Sequence, residues 1–324
     1  MKITDENLEI ILPKKQLNLF GYDYYFKLFI KLFEEGKMPN SVILTGPRGS
    51  GKSTFVYHII NYLFSQNEQN KYLVDNFSIN KNNLSYKRIN TNSHSNFFLI
   101  ENVNSEKEIK IDQIRNLLRF LTKSTYGKDL KIIMIDNVEN LNLNSSNALL
   151  KAIEEPLNNT FFFLVHDSSY KVLHTILSRC IKFRFFFPQS EKKNILQKLS
   201  QQYENSIDIK SYDYNCSFDT PGNVIRRFLD LRKKKITLND NTLSNIFQFI
   251  EIYKNEKSLE ILSMITLFIE KFYYDLCFVN NKNLDIYFFN YTKILKQLDD
   301  MKRFNLDGKN IFTWIKNILI NEKR

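Results

Sequence analysis

The spacing of apolar positions predicts alternating strands and helices over residues 1–187. Short apolar runs predict strands at 41–45, 97–100, 131–135, 160–165 and 180–187. Apolar residues at three- and four-residue spacing predict helices at 14–37, 54–64, 111–122, 145–154 and 168–178, the fourth of them capped by Ser145 and Ser146. Because strands alternate with helices, this part of the chain predicts a parallel, doubly wound α/β sheet.

Two stretches depart from this alternation. Residues 65–96 are polar, rich in Asn and without a clear period, which predicts a loop or a variable insert. After Pro188 the pattern is helical throughout, with predicted helices at about 190–204, 221–235, 240–254, 256–278 and 284–324. The change at Pro188 and a weaker one near 236–240 predict three domains, at 1–187, 188–237 and 238–324.

Composition limits the class of protein. The chain has 324 residues, of which 43% are hydrophobic, enough to bury a core. Its three cysteines, Cys180, Cys216 and Cys277, are scattered, so they predict no disulfide framework and no four-cysteine zinc module. The sequence has no apolar run of membrane length and no apolar signal core at its start. These features predict a soluble cytoplasmic protein with no membrane partner.

The net charge leaves the question of nucleic-acid binding open. Lys and Arg number 46 against 35 Asp and Glu, a formal charge of +11 that favours polyanionic partners. The chain is also rich in Asn, Lys, Ile, Phe and Tyr, which AT-rich codons specify. Codon bias is the simpler explanation for much of the lysine excess, and charge alone identifies no DNA-contacting residue.

A glycine-rich segment between a predicted strand and a predicted helix fits the phosphate-binding pattern G-x-x-x-x-G-K-[ST]. Its residues are Gly46, Pro47, Arg48, Gly49, Ser50, Gly51, Lys52 and Ser53, followed by Thr54. Glycines let the backbone wrap closely around phosphates and point its N–H groups at them, and the helix start adds its positive dipole end. Lys52 would reach the β- and γ-phosphates, and the Ser53 hydroxyl would ligate Mg²⁺. We call residues 46–53 the phosphate loop and expect it to bind ATP with Mg²⁺.

Asp136 is the predicted acidic partner of the phosphate loop. It follows the strongly apolar run 131–135, and an Asp at a strand end in such a protein holds the Mg²⁺ shell together with Ser53. The next residue is Asn137, where a hydrolytic enzyme of this type carries a carboxylate beside the Asp. Because an amide cannot accept a proton from water, we expect binding to survive while the chain's own hydrolysis is weak or absent.

Three further motifs resemble those of a known family. Residues 147–156 read NALLKAIEEP, residues 175–180 read TILSRC and residues 111–115 read IDQIR. In this order and with this spacing, together with the phosphate loop, they resemble the subunits of bacterial clamp loaders, which are AAA+ proteins of the DNA polymerase III holoenzyme. The resemblance covers residues from about 15 to 190. It implies an AAA+ P-loop NTPase domain followed by an all-α lid and an all-α collar domain.

The resemblance also implies roles for single residues. Arg179 would be an arginine finger that acts in trans on the ATP of a neighbouring subunit, although its position alone is more typical of a cation that neutralises a helix end. His166 and Asp167 align with the sensor 1 region, where a structural His is the simpler interpretation. The sensor 2 stretch, here residues 220–223, lacks its Arg, and Arg226 lies one helical turn later. This departure and Asn137 favour the delta prime members of the family over the motor members.

The resemblance implies a complex of several subunits. The chain would join the delta and gamma/tau subunits in a hetero-pentamer that opens a sliding clamp onto primed DNA. Three alternatives stay open. A gamma/tau-type motor would hydrolyse ATP by itself, a P-loop small-molecule kinase would need an acceptor site, and a nucleotide-free scaffold would have a vestigial loop.

Overall fold

The computed structural model describes residues 9–102, 108–123, 130–203, 219–279, 283–304 and 306–322. The chain forms two compact units. The larger, which we call the sheet unit, consists of Glu9–Leu199 together with Thr220–Asn223. The second, which we call the helical unit, is formed mainly by Val224–Arg324. Cys216 and the other residues outside these ranges are not described.

A parallel sheet of five strands organises the sheet unit. The strands are β1 (Ser41–Gly46), β2 (Phe97–Ile100), β3 (Lys131–Ile135), β4 (Thr160–Asp167) and β5 (Ile181–Arg184). Their spatial order is β2-β3-β4-β1-β5, and each neighbouring pair is parallel. The predicted doubly wound α/β sheet is therefore confirmed. The five predicted strand positions are also correct, although β5 ends before the aromatic run that follows it.

Successive side chains of a strand point to opposite sides, and in the central strands β1, β3 and β4 both sets are buried, whereas the edge strand β5 is mostly exposed. One face belongs to a core that includes Val42, Leu44, Ile132, Met134, Phe163 and Val165. The other belongs to a second core that includes Ile43, Ile133, Ile135, Phe162 and Leu164. This arrangement explains why the central strands appear in the sequence as nearly continuous apolar runs.

Helices cover both faces. The helices of this part of the chain are α1 (Asp23–Glu34), α2 (Lys52–Ser65), α3 (Leu84–Asn90), α4 (Ile111–Thr122), α5 (Leu143–Glu154), α6 (His174–Leu177) and α7 (Gln189–Gln201). Apolar residues of α1 and α2 pack in the first core, and those of α4 and α5 pack in the second. The sheet is thereby held between two helical layers.

The predicted helix 14–37 is wrong over its first third. Only Pro13–Lys15 form a short 3-10 turn there, and α1 starts at Asp23. Gly21 and Tyr22 have φ values of 76° and 63°, which lie in the left-handed region and interrupt a helix.

The segment 65–96 contains ordered structure that the sequence did not predict. Helix α3 begins after Asn83, whose side chain accepts a hydrogen bond from the backbone N–H of Tyr86. The carboxylate of Glu68 accepts further hydrogen bonds from the N–H groups of Leu84 and Ser85. These acceptors satisfy the N–H groups that have no partner within the first turn of a helix, and so they stabilise the short α3. The segment therefore contains a helix where a loop was predicted.

Two other helix predictions need correction. The predicted helix 168–178 is reduced to α6, because the Asp167 carboxylate accepts the N–H of Ser169 and turns the chain after β4. Helix α5 is capped by Asn142, whose side chain accepts the N–H of Ser145, and not by the serines. Its end at Glu154 agrees with the prediction.

The helical unit continues the helices that the sequence predicts after Pro188. They are α8 (Pro221–Lys233), whose first three residues cluster with the sheet unit, α9 (Thr242–Glu256), α10 (Leu259–Val279), α11 (Leu284–Phe304) and α12 (Gly308–Glu322). The predicted single helix 284–324 is wrong, because α11 and α12 are separate. Within the described ranges, no helix is long and apolar enough to cross a membrane.

Candidate functional site: the phosphate loop and its surroundings

The carboxyl ends of strands β1, β3 and β4 meet at one edge of the sheet. Gly46 ends β1 and pairs with Asp167 at the end of β4, while Asp136 follows the end of the neighbouring strand β3. Because all strands are parallel, their carboxyl ends face the same side, which is where open α/β sheets bind ligands. The sequence predicted this meeting for Gly46 and Asp136.

The phosphate loop joins β1 directly to α2. Gly49 and Gly51 have φ values of 77° and 83°, in the left-handed region that glycine adopts without strain. Helix α2 begins at Lys52, immediately after Gly51. The loop therefore delivers the chain to the start of a 14-residue helix, whose free N–H groups and dipole favour an anion.

Lys52 is buried beneath the loop that precedes it. Its Nζ donates to the carbonyl oxygens of Gly46 and Pro47, both at 2.7 Å, and lies 3.4 Å from the Ser50 hydroxyl. Burial lowers the pKa of Lys52 to about 8, although the carboxylates of Asp167 and Asp136 favour the charged form.

Ser53 and Asp136 face each other across the gap between α2 and β3. The Ser53 hydroxyl donates to both carboxylate oxygens of Asp136, at 3.0 and 3.1 Å. Burial raises the pKa of the Asp136 carboxyl, an effect that the hydrogen bond from Ser53 and the charge of Lys52 oppose. The Ser53 hydroxyl and the Asp136 carboxylate thus provide adjacent oxygen ligands next to the phosphate loop. This arrangement fits Mg²⁺, which uses one or two ligands from the protein and takes its remaining ligands from phosphates and water.

Glu139 adds a carboxylate that the sequence analysis did not single out. It lies one short turn after Asp136, and its Oε2 accepts the backbone N–H of Asp167 at 3.1 Å. Burial raises the pKa of the Glu139 carboxyl. Asn137 occupies the position next to Asp136 with a φ of 60°, a left-handed conformation that Asn tolerates. The sequence shows a carboxylate three residues after a strand-end Asp. It does not show that this carboxylate contacts β4.

His166 has a structural role in this arrangement. Its Nε2 lies 3.0 Å from the Tyr170 carbonyl oxygen, which only accepts, so this nitrogen carries the proton. Its Nδ1 then accepts from the Thr45 hydroxyl at 3.3 Å. Both ring nitrogens are used within the protein, in agreement with the structural interpretation of this residue.

Residues from two other parts of the sheet unit hold the phosphate loop from outside. The Tyr22 hydroxyl donates to the Ser50 carbonyl oxygen at 2.9 Å. The Thr220 hydroxyl donates to the Arg48 carbonyl oxygen at 2.6 Å. The sequence analysis missed both residues as parts of the site. It considered residues 220–223 only as a stretch that lacks an Arg.

Arg179 lies at the end of α6 and is exposed. Its side chain retains 37% of its accessible surface. The guanidinium pairs with the Glu154 carboxylate at 2.5 Å and donates to the Thr175 carbonyl oxygen at 3.0 Å. None of these partners belongs to the phosphate loop. The geometry thus separates Arg179 from the loop contacts and leaves it accessible on the surface.

A protein-family comparison matches this region of the chain. A family described as "DNA polymerase III, delta subunit" matches residues 22–188, slightly more than half of the 324 residues. The matched range contains the sheet, the phosphate loop and Arg179.

Individual proteins with sequence similarity carry related names. A protein named DNA polymerase III subunit delta' from Pseudomonas aeruginosa is 27% identical over 161 residues, which is 50% of this chain and 47% of the relative. DNA polymerase III subunit gamma from Buchnera aphidicola subsp. Schizaphis graminum is 27% identical over 242 residues, which is 71% of this chain and 62% of the relative. The chain thus spans about half to three fifths of these relatives.

A comparison with solved structures also gives a match to a protein of related name. It is a DNA polymerase III gamma subunit-related protein from Thermotoga maritima, with 17% identity and a TM-score of 0.43. The match covers 92% of this chain and 99% of that one.

Proposed function

This chain belongs to the family described as "DNA polymerase III, delta subunit", and on that premise we propose that it is a delta prime-type subunit of a bacterial clamp loader. In this role it would assemble with delta and gamma/tau subunits into a hetero-pentamer. The complex would load a sliding clamp onto primed DNA in the cytoplasm during replication. The names of the relatives support the assembly, and the exposed Arg179 is the observation that carries the proposed role within it.

The phosphate loop binds ATP in this proposal. Gly46, Pro47, Arg48, Gly49, Ser50, Gly51, Lys52, Ser53 and Thr54 form the cradle, with Asp136 beside it. Ser53 and Asp136 would hold Mg²⁺, which neutralises phosphate charge when it is bound. The left-handed glycines and the closeness of Ser53 to Asp136 support this assignment.

Arg179 serves the nucleotide of a neighbouring subunit. A guanidinium keeps its charge at all physiological pH values and can form two parallel hydrogen bonds with phosphate oxygens. An Arg whose partners are a surface carboxylate and a backbone carbonyl can exchange them for a phosphate at an interface. In the same scheme, residues 188–237 form a lid and residues 238–324 form a collar through which subunits assemble.

Weak hydrolysis by this chain follows from its own residues. Asn137 offers no proton acceptor beside Asp136, and the nearby Glu139 carboxylate is held by the N–H of Asp167 through one of its two oxygens. The alternative is a gamma/tau-type motor subunit, which the similarity to the Buchnera gamma subunit favours. Steady-state turnover by the purified chain alone separates the two. Clear ATP hydrolysis that Glu139→Gln abolishes would support the motor.

The central test is reconstitution of the loader with Arg179→Ala in this subunit. We expect ATP hydrolysis stimulated by clamp and primed DNA to fall by about a thousandfold at the site that Arg179 serves, the scale of a missing arginine finger. Total turnover would fall less, because other sites continue to work. The matched control is Lys182→Ala, which removes an exposed cation from β5 and should change nothing. Undiminished stimulated ATP hydrolysis in the loader with Arg179→Ala would refute the proposed role of Arg179 as an arginine finger.

Co-purification tests the assembly independently. A tagged chain should recover a clamp loader and its polymerase from the source cells. Recovery of the chain alone, at a concentration where a loader would be intact, would count against the proposed partners.

A further inference from the structure

We infer that the hydroxyl groups of Tyr22 and Thr220 are positioning groups for nucleotide binding, because they turn the N–H groups of the phosphate loop toward the bound phosphates. The inference rests on the proposed nucleotide binding. It concerns two residues that lie outside the phosphate-binding motif and do not themselves contact phosphate.

Three consecutive carbonyl groups of the loop are held from outside. The Arg48 carbonyl accepts from the Thr220 hydroxyl at 2.6 Å, and the Ser50 carbonyl accepts from the Tyr22 hydroxyl at 2.9 Å. Between them, the Gly49 carbonyl accepts from the backbone N–H of Gly222 at 3.0 Å. These donors are far from the loop in sequence, since Thr220 follows Arg48 by 172 residues.

Peptide planarity converts these contacts into an orientation of the N–H groups. In a trans peptide the C=O of one residue and the N–H of the next point in opposite directions. Holding the carbonyls of Arg48, Gly49 and Ser50 therefore directs the N–H groups of Gly49, Ser50 and Gly51 away from the three donors. Among these, the N–H groups of Gly49 and Gly51 donate to no acceptor in the described part of the chain.

The anchors also oppose the competing arrangement of the loop. Glycine rotates easily, so a free loop could flip a peptide and place a carbonyl oxygen where phosphate must bind. Such a flip would break the hydrogen bond that the Thr220 hydroxyl donates, at a residue that is only 5% exposed. Loss of a hydrogen bond of this kind is costly in a buried site, so the anchored form dominates.

Close packing at this point depends on two facing glycines. A Cβ on Gly49 would lie 2.4 Å from the Thr220 Oγ1, and a Cβ on Gly222 would lie 2.7 Å from the Gly49 carbonyl oxygen. Both distances are shorter than any ordinary contact. The approach of residues 220–223 to the loop therefore requires glycine on both sides.

The experiment removes each hydroxyl without changing the shape of its side chain. Titration calorimetry on the full chain would compare Tyr22→Phe, Thr220→Val and the double variant, with Mg-ATP and with inorganic triphosphate as probes. We expect each single variant to bind ATP about three- to tenfold more weakly, and the double variant more weakly still. Inorganic triphosphate should show the same ratios, because the anchors act on the phosphates and not on the base.

Two variants serve as matched controls. Thr220→Ser keeps the hydroxyl and should bind ATP within about twofold of the wild type. Tyr25→Phe removes a hydroxyl that donates to the Arg184 carbonyl oxygen, outside the phosphate loop, and should not change affinity. Thermal unfolding of every variant shows whether each protein is folded at the temperature at which its affinity is measured.

The outcomes distinguish this inference from the proposed function. ATP binding that is lost in Lys52→Ala but unchanged in Thr220→Val and Tyr22→Phe would overturn the inference alone. A wild-type chain that binds no ATP would overturn the proposed nucleotide binding, and the inference with it. An equal fall in affinity for Tyr25→Phe, or a fall that follows only the unfolded fraction, would also overturn the positioning role.

Discussion

Replacing the buried His58 tests how the sheet unit depends on pH. His58 lies on α2 and is 0% exposed. Its Nε2 faces the Gln16 carbonyl oxygen at 3.2 Å and must carry the proton, because a carbonyl only accepts. Its Nδ1 therefore accepts from the Tyr72 hydroxyl at 2.8 Å. A second proton on the ring would place an unsolvated charge in the core.

The magnitude follows from the difference in pKa between folded and unfolded chains. Burial lowers the pKa of His58 from 6.5 to about 3. Above the unfolded value the ring is neutral in both states and folding carries no penalty. As the pH falls below 6.5, the unfolded chain takes up the proton first, so stability decreases until the folded pKa is reached. Between about pH 7 and pH 5 this one group should remove about 2 kcal/mol of stability.

The assay must report on the unfolding of the sheet unit, and the fluorescence of the single Trp does not. Trp314 lies in the helical unit, so its fluorescence would follow the wrong part of the chain. Urea unfolding read by pulsed hydrogen exchange of peptides from β1 and α2 avoids this problem. His58→Gln cannot titrate, and its amide can still donate to Gln16 and accept from Tyr72. Its loss of stability from about pH 7 to pH 5 should be smaller than that of the wild type by about 2 kcal/mol.

The difference between the wild type and His58→Gln cancels the contributions of the other titrating groups to the pH dependence of stability. Burial lowers the pKa of His94 to about 4, and this contribution remains in both proteins. His174→Gln, at an exposed position, is the control for removing a histidine. Equal pH dependence in the wild type and His58→Gln would show that His58 is not held neutral, and the reasoning from its burial would fail.

Three further changes give measurable results. Lys131→Met removes a buried ammonium that donates to the Leu121 carbonyl oxygen at 2.6 Å at the end of α4, so urea unfolding should show a loss of about 2 kcal/mol. Affinity for ATP should fall about tenfold from pH 7 to pH 9 in calorimetry, because Lys52 has a pKa of about 8 and binds phosphate only when charged. Glu154→Gln weakens the exposed pair that orients Arg179 and should lower ATP hydrolysis at the site that Arg179 serves by about fivefold at most, far less than Arg179→Ala at the same site.

Local sequence was sufficient for the sheet and for the phosphate loop. Residues 41–45 and 131–135 are buried on both faces, so their identity as strands is visible as uninterrupted apolar runs. The glycines and Lys52 are neighbours in sequence as well as in space. A motif of this kind forms within one turn between a strand and a helix, and tertiary contacts are not needed to recognise it.

The errors come from contacts between distant segments. Leu17, Phe20 and Tyr24 have helix-like spacing, but the backbones of Leu17 and Leu19 pair with Ile79 and Phe77 in an extended arrangement. Apolar spacing over so few residues does not exclude an extended structure, and here the backbone of the distant segment decides. The short helix α3 likewise depends on Glu68, which lies 16 residues before Leu84. The anchors Tyr22 and Thr220 were missed for the same reason, since nothing in their local sequence indicates the loop that they hold.

Binding without turnover would make ATP a structural ligand of the sheet unit. Asn137 removes the proton acceptor, while the cradle at Lys52 and Ser53 is intact, so the proposed complex with ATP should persist. A ligand that binds only the folded state stabilises it by about 2.7 kcal/mol at a concentration of 100 times its dissociation constant. ATP should therefore raise the unfolding midpoint of the sheet unit in the wild type, with no such shift in Lys52→Ala. If ATP is consumed and the shift decays during the measurement, Asn137 does not prevent hydrolysis and this argument is refuted.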